Sequence, residues 1–229
     1  MTITCLVAYR DQSILSLRNT WMSDSQAHVG WTEKDWKRVI YADETYIGLG
    51  NDGQLWVQRP PGTAYDKEYM KYHKHTFVER VGFYSFFSHH EVGPVHIYSY
   101  TMKDFLYRLA LDEKLLPQLH NKKMKDLRFY LQDNAPYHTS GFSKNWFVGK
   151  PIELLKMPAR SPDLNPIENL WSELKRRIAE YQPTKLEEII ELAWQEWPKI
   201  SQDLCANLIK GMPERMQAVI AAEGHMTRY

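Results

Sequence analysis

An aspartate stands in the middle of a stretch that otherwise looks like a buried β-strand. Residues 38–47, RVIYADETYI, are rich in β-branched and aromatic side chains, and Gly48, Gly50, Asn51, Asp52 and Gly53 break the run behind them. Carboxylates are rarely buried unless they are paired or bound to metal. Asp43 therefore needs a partner from elsewhere in the chain, and any fold must bring that partner to the strand.

The remaining pattern limits what that fold can be. A short helical turn is expected at residues 31–36, with Thr32 as cap and Asp35 three residues on. Gln54 to Arg59 reads as a short strand ended by Pro60-Pro61-Gly62, and residues 51–77 as a long polar excursion of the kind that tends to be functional or disordered. Residues 78–89 and 95–100 are the second and third core strands; with the first they predict an antiparallel meander. Thr101, with Asp104 three residues on, is expected to cap a helix to about Leu116 that buries Met102, Phe105, Leu106, Leu109 and Ala110. LRFYLQ, residues 127–132, is the fourth strand and stops abruptly at Asp133-Asn134-Ala135-Pro136. A helix from about His138 to Phe147 and a fifth strand at residues 152–157 follow. Strands in succession, then strand–helix–strand–helix, predict an α/β fold: a mixed five-stranded sheet, parallel on one side, with helices on its faces.

The stretch SPDLNPIENLWSELKRR, residues 161–177, opens the next helix. Asn165 is suited to the cap, Pro166 to the first helical position and Glu168 to the third. Ile167, Leu170, Trp171, Leu174 and Ile178 recur at helical spacing as one apolar face. Glu168 reads either as half of a capping box or as a functional carboxylate. Beyond Pro183, three helical patterns follow: Thr184 with Glu187 opens the first, Ser201 the second, which Gly211 ends, and residues 214–222 form the third. The expected division is an atypical lead-in over 1–30, a core over 31–182 and a helical extension of the same domain over 183–229.

Composition excludes several classes. With 43% hydrophobic and 13% aromatic residues, the 229-residue chain can bury a substantial core. The formal net charge of +1 does not by itself announce a nucleic-acid partner, although basic residues cluster at Lys122, Lys123, Lys125 and Arg128 and at Lys175, Arg176 and Arg177. Cys5 and Cys205 form neither a metal-ligand spacing nor a disulfide framework. No apolar run approaches the ~20 residues needed to span a bilayer, and no basic leader or cleavage site marks a signal peptide. A soluble, intracellular protein is expected.

Asp43 lies within the first strand, Asp133 at the carboxyl end of the fourth and Glu168 at the start of the helix after the fifth. Sites in open α/β sheets form outside the carboxyl ends of strands. If the first and fourth strands are parallel neighbours, the two aspartates face each other and Glu168 closes over them. Three converging carboxylates repel one another and are tolerable mainly around divalent metal. Oxygen-only ligation suits Mg²⁺ or Mn²⁺, and a pair of such ions serves in-line phosphodiester chemistry. Taken singly, Asp133 could equally be a turn residue.

YADET around Asp43, LQDNAPYHTS around Asp133 and SPDLNPIENLW around Glu168 closely resemble the signatures of Tc/mariner superfamily transposases. The 34 residues between Asp133 and Glu168 (134–167) resemble the spacing of the Tc branch. The likeness covers about Trp31 to Tyr229, including Gly224-His225 near the end. It implies a ribonuclease H-like fold, Asp43, Asp133 and Glu168 as catalytic metal ligands, and two Mg²⁺ ions, with Mn²⁺ able to substitute. It also implies hydrolysis at transposon ends followed by attack of the freed 3′-hydroxyl on target DNA. Asn134 and His138 lie in the second motif as supporting residues; His138 could as well belong to the following helix. Implied partners are transposon-end and target DNA and a possible homodimer, with neither a membrane nor a small-molecule substrate, and the implied location is the nucleus. Arg59, Lys71 and Lys74 in the excursion, with Lys122, Lys123, Lys125, Lys175, Arg176 and Arg177, are DNA-contact candidates. Family members carry a helix-turn-helix region ahead of the catalytic domain. Only about thirty unlike residues precede Trp31, so a catalytic-domain fragment, a truncated element copy or a mis-started gene is expected. The competing reading is a catalytically silent remnant that only binds DNA or a partner. Another ribonuclease H-like nuclease would set its acidic residues in different surroundings.

Overall fold

The computed structural model describes residues 28–49, 79–155 and 164–222. The Gln54–Arg59 strand, Arg59, Lys71 and Lys74 of the excursion, most of the lead-in and the Gly224-His225 segment lie outside the described residues. Thr32 and Asp35 form the expected box ahead of α1 (Glu33–Trp36), where the Asp35 carboxylate accepts from the Thr32 backbone N–H at 2.9 Å and its hydroxyl at 2.7 Å.

Five strands form one mixed sheet: β1 (Val39–Gly48), β2 (Arg80–Phe87), β3 (His96–Tyr98), β4 (Phe129–Leu131) and β5 (Glu153–Leu155). Their spatial order is β3-β2-β1-β4-β5. The first three are antiparallel neighbours, and β4 joins β1 on one side and β5 on the other in parallel. Alternation of side chains divides the strands between two cores. Val39, Tyr41, Phe83, Phe87 and Leu131 face the layer of α6 (Ile167–Glu180), α7 (Leu186–Glu196), α8 (Gln202–Lys210) and α9 (Met212–Ala221). Ile40, Ala42, Tyr84, Phe86 and Tyr130 face the other layer, of α2 (Asp104–Ala110), α3 (Leu116–Leu119), α4 (Pro136–Thr139) and α5 (Gly141–Phe147). On the first face Trp171 stacks on Trp197 with centroids 4.5 Å apart, and the Trp197 indole donates to the Gly93 carbonyl at 2.8 Å. The apolar face expected for α6 is buried in full: Ile167, Leu170, Trp171, Leu174 and Ile178.

Two helices differ from expectation. The one predicted from Thr101 starts at Asp104, with Lys103 at the cap, and widens into a π-helical turn over Leu111–Leu115. It buries Tyr107, Ala110, Leu111 and Leu115 and leaves Phe105 and Leu109 exposed. Apolar residues occupy both candidate stripes, so periodicity alone cannot choose between them. The Tyr107 phenol donates to the Gln132 side-chain oxygen and shares a second hydrogen bond with the Tyr130 hydroxyl, which makes burial of the ring tolerable. The helix predicted over 138–147 is divided by Ser140, whose backbone is extended and whose hydroxyl caps α5 by accepting from Ser143 N at 3.1 Å. Past Pro183, Glu188 and not Glu187 accepts from the Thr184 backbone at 2.6 Å, while Ser201 caps α8 as expected. Among the described residues, no helix is long and apolar enough to cross a membrane.

Gly82 pairs with Tyr98 across β2 and β3, and a Cβ on Gly82 would stand 2.2 Å from the Tyr98 ring, which is itself buried. Gly82→Ala is therefore expected to destabilise the protein by about 1–3 kcal/mol, the usual cost of overpacking. Urea unfolding measures it; an unchanged midpoint would mean the ring is free to slide.

Candidate active site

Strand register builds the site. The parallel ladder between β1 and β4 pairs Val39 with Phe129, Ile40 with Tyr130 and Tyr41 with Leu131. Asp43, still within β1, and Asp133, in the loop beyond β4, each lie two residues past that last pair and so at the same level. Glu168 is the second residue of α6, which packs against β1. The structure thus brings together all three carboxylates expected from the sequence.

Their charges bear on one another. Burial pushes the Asp43 carboxyl well above the ordinary range, and the charges of Glu168, Glu44 and Asp133 push it further. Burial also raises Glu168, against the opposing charge of Lys175 and a hydrogen bond from Asp43. Both carboxyls of the pair are thus raised, because burial and the neighbouring negative charges disfavour ionising either. Asp133 behaves in the opposite way. Burial would raise it, but hydrogen bonds from His138 and the Ala135 N–H outweigh burial and hold it below the ordinary range. Both fall on Oδ1, at 2.6 Å from His138 Nδ1 and 2.9 Å from Ala135 N. Among the described residues, no three His, Cys, Asp or Glu side chains surround one point closely enough to hold an ion where they stand.

His138 comes from the short helix α4, which Pro136 opens directly after the β4 end. Its ring is buried between those of Tyr107 and Tyr137, at centroid distances of 4.3 and 4.4 Å. Nδ1 faces the Asp133 carbonyl and carboxylate and must donate; Nε2 stands 3.2 Å from Glu44 Oε1. Burial opposes a charge on this ring, but Glu44 and Asp133 overcome it and lift His138 to about 10. Asn134, the other supporting candidate, lies exposed beside Asp133.

Asn165 does not cap α6. Pro166 occupies the cap position, and the Asn165 amide is buried, donating to the Ala42 carbonyl at 3.0 Å. The reason is tertiary: α6 lies against β1, so the amide reaches the strand backbone in place of its own helix. That bond ties the residue before Asp43 to the helix start that carries Glu168.

The basic candidates separate. Arg176 is paired with Glu173 and Glu180, and Arg177 with Glu173 at 2.7 Å and Glu196 at 3.7 Å. Lys175 points its charge toward Glu168 from two turns along α6. Lys122 and Lys125 are exposed ahead of β4, so they sit at the opposite end of that strand from Asp133, as does the backbone of Lys123.

Sequence reasoning missed Glu44 and Tyr137. Glu44 occupies the same apolar strand as Asp43, and the rule that buried carboxylates need partners applied to it as well. Only the choice of strand face could separate the two.

Residues 38–190 match the DDE superfamily endonuclease family. The chain is similar to the transposase of transposable element Tc1 from Caenorhabditis elegans, 33% identical over 206 residues that make up 90% of this chain and 75% of that protein. Its fold is similar to that of the Mos1 transposase paired-end complex with left transposon end, at TM-score 0.77 and 17% identity, covering 99% of this chain and 67% of that one. The Mos1 transposase catalytic domain, solved with raltegravir and Mg, is similar at TM-score 0.70 and 18% identity, covering 96% and 99%. These likenesses bear out the ribonuclease H-like fold.

Carboxylates that repel one another hold back stability. In protein stripped of divalent ions, Asp43→Asn is expected to raise stability by about 0.5–2 kcal/mol, in the range of other site-relaxing changes. Denaturant melts in a chelator test this, and a loss of stability would contradict the crowding described.

Proposed function

The chain belongs to the DDE superfamily endonucleases, as a transposase catalytic domain of Tc1/mariner type, and on that premise we propose that Asp43, Asp133 and Glu168 carry its chemistry. The reaction is hydrolysis of phosphodiester bonds at transposon ends, then joining of the freed 3′-hydroxyl to target DNA. One observation carries this reading: an aspartate within β1 and one just past the end of parallel β4 stand at the same level, with Glu168 against the first.

The donor set fits divalent cations. It is made of oxygens alone, and burial, with neighbouring negative charge added, has already raised two of its three carboxyls, which positive charge would offset. We assign Asp43, Asp133 and Glu168 as ligands of two Mg²⁺ ions, with Mn²⁺ as substitute; Mg in the Mos1 catalytic-domain structure supports this. Such ions supply positive charge for the attacking and leaving oxygens of an in-line displacement. The protein's own part is positional. β1 and β4 set the level of the aspartates, α6 presents Glu168, and His138 keeps Asp133 ionised.

The proposed substrate is DNA, which supports a nuclear location for the working protein. The paired ends of the Mos1 complex support a second copy as partner. Backbone contacts dominate such binding, so affinity falls with salt. Lys175 is the cation of its cluster best placed for a phosphate near the site, because Arg176 and Arg177 are held in intrahelical and interhelical pairs.

Strand nicking of a labelled duplex tests the reading. Cleavage with Mg²⁺ or Mn²⁺ is expected for the wild type. In Asp133→Ala it should fall by more than the roughly 10–100-fold that loss of an outer partner costs. Folded wild-type protein that cuts with neither ion would favour the silent remnant. In DNA-binding titrations, Lys175→Gln should lower the logarithmic salt slope by about 0.9, the value for one phosphate contact. Arg176→Gln should leave it unchanged; equal effects would refute the assignment of Lys175.

A further inference from the structure

Glu44 has no part in the three-carboxylate chemistry, yet its side chain is only 6% exposed. It follows Asp43 in β1, so it leaves the opposite face of the sheet, away from α6 and Glu168. There Oε1 stands 3.2 Å from His138 Nε2, and Oε2 accepts from the Tyr137 hydroxyl at 3.1 Å. The other His138 nitrogen lies 2.6 Å from Asp133 Oδ1. One ring thus spans from β1 to the loop beyond β4.

We infer that Glu44 is a positioning residue, which holds His138 from behind the sheet so that His138 fixes the Asp133 carboxylate toward Asp43 and Glu168. The inference rests on the proposed role of Asp133. Two features call for such a bracket. Asp133 sits on a loop with a side chain 53% exposed, where local packing leaves its χ angles free. A buried carboxylate is also a costly packing element, whereas an apolar side chain of its size would fill the space without desolvation. Outer-shell groups that orient a ligand repay such a cost through the site they hold. The Asp43-Glu44 dipeptide therefore serves both faces of β1, one residue in the site and the next behind it.

Proton NMR of the full chain reads the bracket directly. In the wild type, the His138 Nδ1–H proton is expected well downfield and slow to exchange, because the ring is buried and its proton is bonded to a carboxylate. Glu44→Gln keeps an acceptor for Nε2–H and should retain that resonance. Glu44→Met, similar in size but without an acceptor, should broaden or lose it. Mn²⁺ binding by calorimetry should weaken roughly 10–100-fold in Glu44→Met and stay within a few-fold of wild type in Glu44→Gln. A Glu44→Met protein that keeps both the resonance and the affinity overturns the inference. So does equal loss in the two variants, which would indicate packing alone. Wild-type protein lacking the downfield resonance overturns it without any variant, and Glu44→Ala serves if Met does not fold. Wild-type protein that shows the resonance but binds no Mn²⁺ supports the bracket and overturns the metal reading instead.

Discussion

Everything at this site depends on the parallel ladder between β1 and β4. Three residue pairs, ending at Tyr41 and Leu131 where β4 stops and β1 runs on, set the level of Asp43 against Asp133. A slip of one residue would turn Asp43 to the face where Glu44 now lies, because successive side chains alternate. The aromatic content of β1 and its neighbours resists that slip. Tyr41 stacks on Phe87 at 5.1 Å on one face, and Tyr84 meets Tyr130 through their hydroxyls at 2.9 Å on the other. Two differently built cores thus secure one register.

The two faces treat charge differently. Toward α6, Asp43 and Glu168 crowd with no described histidine or arginine bonded between them, and both carboxyls are raised. Toward α4, Glu44 and Asp133 share His138, and the paired charges hold Asp133 ionised. One side of the site is left short of positive charge while the other is satisfied. That asymmetry suits the proposed phosphodiester chemistry: excess negative charge that attracts cations beside a carboxylate held in one orientation.

Helix α6 links the catalytic side to the C-terminal layer. Its apolar face meets the sheet and the Trp197 stack, and its polar face carries Glu173, Arg176 and Arg177 in pairs with each other and with α7. Arg176 is held in exposed pairs of small individual value and Arg177 in partly buried ones. Charge count along a sequence could not reveal this, since Glu173, Glu180 and Glu196 come to the arginines through helical spacing and through packing of α6 on α7. Lys175, just before them in sequence, acts through its charge on Glu168 two turns back along the helix.

The sequence alone determined the mixed sheet, its strand order in outline and the three carboxylates. The strand patterns are strongly periodic, and a carboxylate inside such a pattern has few explanations. Local chemistry also determined the Thr32–Asp35 box and the Ser201 cap, because those bonds span three residues. Tertiary structure decided the rest. Asn165 left its helix for the Ala42 carbonyl, Tyr107 rather than Phe105 went inside, and Glu44 found His138 94 residues away. In each case the short-range signal allowed two outcomes, and a hydrogen-bond partner distant in sequence accompanies the one observed. Such partners are invisible to periodicity, because they depend on which strand faces which helix.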